Sequence, residues 1–103
     1  AVTGACMLVK RDTVTKIGLL DEGFINGYED VDFCFRANVN GLKVFLAHES
    51  KVYHYESVSK GRNDHTSLNQ DLFHKKWGGI INADVSFTHF ISERIHIKTT
   101  CMK

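Results

Sequence analysis

The sequence predicts an α/β fold, because apolar runs of strand length alternate with segments whose apolar residues recur at helical spacing. Residues 5–9 (Ala-Cys-Met-Leu-Val) form a continuous apolar run, as expected for a strand buried on both faces. In residues 29–39 the apolar positions follow the i, i+3, i+4 spacing of an amphipathic helix. Residues 43–46 and 51–54 are predicted to form two further short strands.

Length and composition indicate one small folded domain or a piece of a larger one. The chain has 103 residues, of which 43% are hydrophobic and 11% aromatic, enough for a core. The formal net charge of +1 gives no reason to expect a nucleic-acid partner. Every apolar run is far shorter than the roughly 20 residues of a transmembrane helix. Because the chain begins at Ala1 rather than Met, we expect an upstream portion.

Local signals place the first elements. A short helix is predicted over residues 13–17, with Asp12 as its N-cap and Gly18 as its stop. The Asn-Gly pair at 26–27 is a strong turn signal. Directly after this turn, the helix of residues 29–39 begins.

The second half of the chain starts with the two short strands and continues through a polar loop at 56–64. Residues 68–77 form the next predicted amphipathic helix, which two glycines close. Residues 80–103 alternate weakly between apolar and polar positions, as in a strand or an extended arm. We therefore predict a domain over residues 1–79 and a tail or extension over 80–103.

Three carboxylates cluster at the start of the helix of residues 29–39: Glu29, Asp30 and Asp32. Carboxylates in a first helical turn lie near unpaired backbone N–H groups and the positive end of the helix dipole. This arrangement suits a general base beside an anionic, metal-bound substrate. Asp32 and Arg36 lie four residues apart, so we expect Asp32 to be a surface carboxylate paired with Arg36.

The order of several short motifs resembles the second half of a family 2 glycosyltransferase domain, which has the GT-A fold. The motifs are Thr-Gly-Ala-Cys-Met-Leu-Val-Lys-Arg at 3–11, Ile-Gly-Leu-Leu-Asp-Glu-Gly-Phe at 17–24, Tyr-Glu-Asp-Val-Asp-Phe-Cys-Phe-Arg at 28–36, Gly-Leu-Lys-Val at 41–44, Val-Tyr-His at 52–54 and Lys-Trp-Gly at 76–78. The resemblance covers residues 1–79. It implies the C-terminal half of an α/β/α sandwich with an incomplete sheet.

The resemblance implies an inverting glycosyltransferase that moves a sugar from a nucleotide-sugar donor to a hydroxyl acceptor. Asp30 matches the general base of the family, and Glu29 would orient that base or bind the acceptor. Four further residues are expected to bind acceptor or donor: Gly4, Asp21, Glu22 and Tyr28. For Asp21 and Glu22, a role in the turn is an equal alternative.

The resemblance also implies a divalent cation. His54 matches a metal ligand found in several relatives, and Mn²⁺ or Mg²⁺ would offset charge on the departing diphosphate. The remaining ligands are expected in the N-terminal half that precedes this segment in the family. The alternative for His54 is a polar histidine at a strand end whose nitrogens are satisfied by hydrogen bonds.

These expectations define a partial catalytic domain in polysaccharide biosynthesis, cytoplasmic or peripheral at the membrane, with a carbohydrate or lipid-linked acceptor. The isolated segment is expected to be inactive, and the exposed sheet edge or the tail could support a homodimer. The alternative is a noncatalytic binding or assembly module. A third, weaker hypothesis is a metal-dependent hydrolase built on Asp30, Asp32 and His54.

Overall fold

The part of the chain that the computed structural model describes comprises residues 1–55, 61 and 63–81. In chain order, its helical segments are a 3-10 turn at Gly4–Cys6, helix α1 at Arg11–Ile17, helix α2 at Glu29–Val39 and helix α3 at Thr66–Trp77. None of these helices has the length and apolar character that a bilayer crossing requires.

The predicted helices agree with the structure. α2 has the predicted bounds, and α1 and α3 each begin two residues before the predicted start. Gly18 ends α1 as predicted, with a φ of 79° and its N–H donated to the carbonyl of Val14. The predicted N-cap is wrong, because Lys10 occupies that position and Asp12 lies inside the first turn.

The predicted α/β sandwich with an incomplete sheet is wrong, because the described residues contain no β-strand. Part of the run at 5–9 forms the 3-10 turn instead, and the side chain of Leu8 is fully exposed. Met7 does have extended backbone, with φ −126° and ψ 124°. However, a strand also requires ladder hydrogen bonds to a neighbouring strand, and no described segment supplies them to residues 5–9.

The other two predicted strands, at 43–46 and 51–54, also lack a ladder in the described structure. Phe45 is 77% exposed and Tyr53 is 84% exposed, so the apolar side chains that suggested strands lie in solvent. A dimer through a sheet edge therefore has no basis in the described segments. Residues 82–103, most of the predicted tail, lie outside them.

The core lies between α2, α3 and the loop that precedes α2. Its buried side chains are Phe24, Val31, Phe73 and Trp77, with Tyr28, Phe35, Leu72 and Ile81 packed against them. Phe35 contacts Phe73 edge-on, with ring centroids 5.4 Å apart. Because a buried aromatic side chain contributes several kcal/mol of transfer free energy, these contacts fix α2 against α3.

Candidate functional site

The turn that leads into α2 is built from strained backbone. Asn26 and Tyr28 both have positive φ, at 56° and 73°, although neither is glycine. A left-handed conformation costs a non-glycine residue about 1 kcal/mol or more, and such strain concentrates at functional sites. The ring of Tyr28 packs on the ring of Phe73, with the two ring centroids 5.5 Å apart, and this contact holds the turn in place.

Asp30 lies in the first turn of α2 and contacts a segment 26 positions earlier in the chain. The backbone N–H of Gly4 donates to Asp30 Oδ2 at 2.7 Å, and the N–H of Val31 donates to Oδ1 at 2.7 Å. One backbone donor at each oxygen orients the carboxylate. The structure thus brings together two residues that the resemblance assigned to one site.

The absence of a side chain at Gly4 allows this contact. A Cβ atom at Gly4 would lie 3.2 Å from the Cβ of Asp30, tighter than ordinary van der Waals contact. Substitution would therefore push the 3-10 turn away from α2 and lengthen the hydrogen bond. Gly4 is important here because it permits close approach of the backbone.

Glu29 places an unpaired acceptor beside Asp30 in the sequence. Its Oε2 atom is shielded from solvent and has no hydrogen-bond partner among the described residues. A buried acceptor without a donor costs about 1–3 kcal/mol. The role of Glu29 in orienting the base or binding the acceptor stays a prediction.

Asp21 has a structural role. Its Oδ1 accepts the N–H of Gly23 at 2.9 Å, and its Oδ2 pairs with Lys76 Nζ at 2.6 Å. The hydrogen bond from Lys76 holds the pKa of Asp21 below its ordinary value. These contacts fit the turn role that was the alternative to acceptor binding, whereas Glu22 is exposed. Acceptor binding by Asp21, Glu22 and Tyr28 stays a prediction.

Asp32 is fully buried, which corrects its predicted position on the helix surface. The predicted pair with Arg36 is confirmed, with Nε 2.8 Å from Oδ2. The other oxygen, Oδ1, accepts from Trp77 Nε1 at 2.9 Å and lies 2.8 Å from Lys76 Nζ. Asp32 therefore links α2 to α3 through Trp77 and Lys76, and Arg36 on α2 holds its other oxygen.

The two cations that contact Asp32 also hold the chain between α1 and α2. Arg36 donates to the carbonyls of Ile17 and Leu19, the latter at 2.7 Å. Burial opposes the charge on Lys76, but its hydrogen bonds to Asp21 and Asp32 raise its pKa above the ordinary value. These contacts attach the first part of the loop, as far as Asp21, to α2 and α3.

Asn69 on α3 adds a second attachment that sequence reasoning missed. Its amide accepts the N–H of Ile25 at 3.0 Å and donates to the carbonyl of Ile25 at 2.8 Å. Asn69 is 3% exposed and Ile25 is 45% exposed, so both of these bonds are partly buried. A polar residue on the apolar face of a predicted helix, with no obvious partner nearby in sequence, was the only available signal.

His54 lies in the exposed segment after α2. Across residues 1–55, 61 and 63–81, no group of three or more His, Cys, Asp or Glu side chains is placed to hold a metal ion. The described residues therefore do not form a metal-binding set with His54. Its role as a ligand of Mn²⁺ or Mg²⁺ stays a prediction.

Sequence comparison identifies three relatives. The chain is 32% identical over 65 residues to the uncharacterized protein y4gI of Sinorhizobium fredii, a match that covers 62% of this chain. It is 33% identical over 60 residues to the O-antigen biosynthesis protein RfbC of Myxococcus xanthus, covering 58% of this chain. It is 29% identical over 59 residues to the low-salt glycan biosynthesis hexosyltransferase Agl10 of Haloferax volcanii, covering 57% of this chain.

These matches support a relationship to glycosyltransferases. The matched regions are 7%, 5% and 19% of the lengths of the three relatives, so the chain spans a small part of each. No family model matches the chain. No solved structure matches it either.

Proposed function

We propose that this chain is part of an inverting, nucleotide-sugar-dependent glycosyltransferase of family 2, with Asp30 as the general base. The observation that carries the proposal is the hydrogen bond from Gly4 N–H to Asp30. It joins two of the six motifs that carry the resemblance, those at 3–11 and 28–36, at the start of a helix where a carboxylate is well placed. The relationship to a named hexosyltransferase supports the same chemistry.

In the proposed step, an acceptor hydroxyl attacks the anomeric carbon of the donor sugar. Asp30 takes the hydroxyl proton as the new carbon–oxygen bond forms. The bond between the anomeric carbon and the diphosphate oxygen breaks, and its electron pair leaves with the nucleoside diphosphate. Attack opposite the leaving group inverts the anomeric configuration.

The geometry favours Asp30 over Asp32 as the base. Asp32 is 0% exposed and accepts from three side-chain donors, so an acceptor hydroxyl has no access to it. Asp30 is partly exposed, and the backbone N–H groups of Gly4 and Val31 hold its carboxylate in one orientation. As the resemblance implies, Glu29 would orient that base or bind the acceptor.

The proposal includes a nucleotide-sugar donor and a carbohydrate or lipid-linked acceptor, in a pathway of polysaccharide or glycan biosynthesis. The printed functions of two relatives, O-antigen biosynthesis and glycan biosynthesis, support this setting. The proposal also keeps the divalent cation that the resemblance implies: with His54 as one ligand, Mn²⁺ or Mg²⁺ would offset the charge on the departing diphosphate.

The test is a sugar-transfer assay on the protein that contains residues 1–103. Release of nucleoside diphosphate would be measured with UDP-, dTDP- and GDP-hexoses and a panel of saccharide acceptors. Asp30→Asn keeps the shape of the side chain but removes its basicity, so kcat should fall by about 10²- to 10⁴-fold. Asp12→Asn is the matched control, because Asp12 is an exposed carboxylate in the first turn of α1.

The control should keep full activity. Transfer by Asp30→Asn within a few-fold of the unmodified protein would reject Asp30 as the base. Retention of the anomeric configuration in the product, seen by ¹H NMR, would reject the single-displacement step.

A further inference from the structure

We propose that Asp32 is a positioning residue for Asp30. Its buried carboxylate fixes the rotation of α2 against α3 and thereby sets the direction in which Asp30 faces. The inference rests on the proposed role of Asp30. It assigns a second function to the acidic cluster, in which one carboxylate reacts and another holds the helix.

The two aspartates lie on opposite sides of α2. At 3.6 residues per turn, side chains two positions apart are separated by about 200° around the helix axis. Accordingly, Asp30 contacts the Gly4 segment, whereas Asp32 contacts Lys76 and Trp77 of α3. Any rotation of α2 that moves Asp32 also moves Asp30.

Three donors restrain the Asp32 carboxylate. Arg36 Nε binds Oδ2, while Trp77 Nε1 and Lys76 Nζ bind Oδ1. The donors approach both oxygens, and two of them come from α3, so the carboxylate cannot turn about its own axis without losing a bond. The indole of Trp77 is itself 5% exposed and packed in the core, which makes it a rigid reference point.

The opposite side of α2 carries matching restraints. The N–H of Val2 lies 3.5 Å from the buried sulfur of Cys34, and the N–H of Gly4 binds Asp30. The segment that contacts Asp30 is therefore attached to the same helix that Asp32 holds. A rotation of 10–20° would displace a helix side chain by roughly 1 Å, and such an error can cost about 100-fold in rate.

Stability alone does not explain a carboxylate at this position. Removing the Asp32 carboxylate from water is costly, and a hydrophobic replacement of similar volume is often as stable. What the ionic network adds is direction, because hydrogen bonds restrict angles that apolar packing leaves loose. This distinction separates the positioning role from a general contribution to folding.

The experiment compares Asp32→Asn and Trp77→Phe with Asp12→Asn in the same transfer assay, well below the unfolding temperature. Trp77→Phe keeps an aromatic ring in the core but removes the Nε1 donor, so it serves if Asp32→Asn fails to fold. We expect kcat to fall by about 10- to 100-fold with little change in KM. Circular dichroism should show unchanged helix content.

A second readout does not depend on activity. The ¹H–¹⁵N resonance of Gly4 reports its hydrogen bond to Asp30, so it should shift in Asp30→Asn. It should also shift in Asp32→Asn and Trp77→Phe, whose substituted atoms lie on the far side of α2. Asp12→Asn should leave it in place.

The possible results separate the two proposals. Normal kcat and an unmoved Gly4 resonance in both folded variants would reject the positioning role of Asp32. If Asp30→Asn retains transfer, Asp30 is not the general base. If the Gly4 resonance still responds to Asp32→Asn in that case, Asp32 nevertheless controls the orientation of Asp30. A fall in stability with normal kcat would make Asp32 a structural residue only.

Discussion

The α2–α3 pair and the segment 45–55 have similar apolar content but opposite surroundings. In the pair, aromatic side chains interlock around Phe73, which is 1% exposed, and a buried carboxylate joins the helices. In residues 45–55 every residue is exposed, including Phe45 at 77%. Hydrophobic residues are therefore no guide to burial here unless a second element covers them.

The difference arises from the way in which helices and strands form their backbone hydrogen bonds. A helix completes its backbone hydrogen bonds within its own segment, so α2 needs from α3 only a complementary apolar face. A strand has no internal backbone bonds and forms only when another strand pairs with it. The strand-like segment thus depends on a partner that the described residues do not provide.

The largest expected effect contrasts two phenylalanines. Phe73→Ala should lower the free energy of unfolding by about 3–5 kcal/mol, because it leaves a cavity where Tyr28 and Phe35 pack. Phe45→Ala is the matched control, and it should change stability by less than about 0.5 kcal/mol. Urea unfolding followed by tryptophan fluorescence measures both variants.

Equal losses from the two substitutions would remove the contrast, since they would mean that the exposed segment contributes to the core in solution. A large loss of stability in Phe45→Ala alone would reverse the contrast between Phe73 and Phe45. Only a difference of several kcal/mol in favour of Phe73 keeps the comparison as the structure has it.

The sequence predicted the helices well because their signals are local. The bounds of α2 follow from its apolar spacing and the Asn-Gly turn before it, and Gly18 was a sufficient stop for α1. The strands were predicted wrongly because apolar runs such as 5–9 indicate extended backbone but not the presence of a pairing strand. That information is non-local.

The same division applies to the candidate site. Placing Gly4 beside Asp30 was possible only through the order of motifs, since spacing alone gives no contact over such a distance in sequence. The pair of Asp32 with Arg36 followed from helical periodicity. The burial of Asp32 and its contacts with α3 did not, because they depend on how the two helices pack.

A smaller effect is expected at the attachment of the loop to α3. Asn69→Ala should cost about 1–3 kcal/mol, because the N–H and carbonyl of Ile25 each lose a partly buried hydrogen bond. Asn38→Ala is the matched control, since Asn38 is an exposed asparagine on α2. Alanine is the better helix former, so this variant should gain up to about 0.7 kcal/mol.

Urea unfolding again gives the numbers, and hydrogen exchange at the amide of Ile25 localises the effect. That amide should lose protection in Asn69→Ala and keep it in Asn38→Ala. If the amide stays protected in Asn69→Ala, another group must hold the loop, and the link between loop and core would be weaker than the structure indicates.

The smallest effect concerns the partly exposed ion pair at the edge of the core. Because the pKa of Asp21 is lowered in the folded state, its pairing stabilises the fold above the unfolded pKa and is lost as pH falls through the folded value. The pair is worth less than about 1 kcal/mol, since water screens it. Asp21→Asn keeps an oxygen that can accept the N–H of Gly23 but removes the negative charge. The variant therefore tests the ion pair with Lys76 alone.

The urea midpoints of the unmodified chain and Asp21→Asn should therefore differ at pH 7 and begin to converge as pH falls below about 4. At the alkaline end the sign is opposite for Lys76, whose raised pKa means that its contribution is lost as pH rises through the folded value. A difference between the two proteins that stays constant across the acid range would show that the pair is not the source. The Asp21–Lys76 pair would then contribute no more to folding than the exposed segment 45–55 does. The α2–α3 pair would differ from that segment by its apolar packing alone.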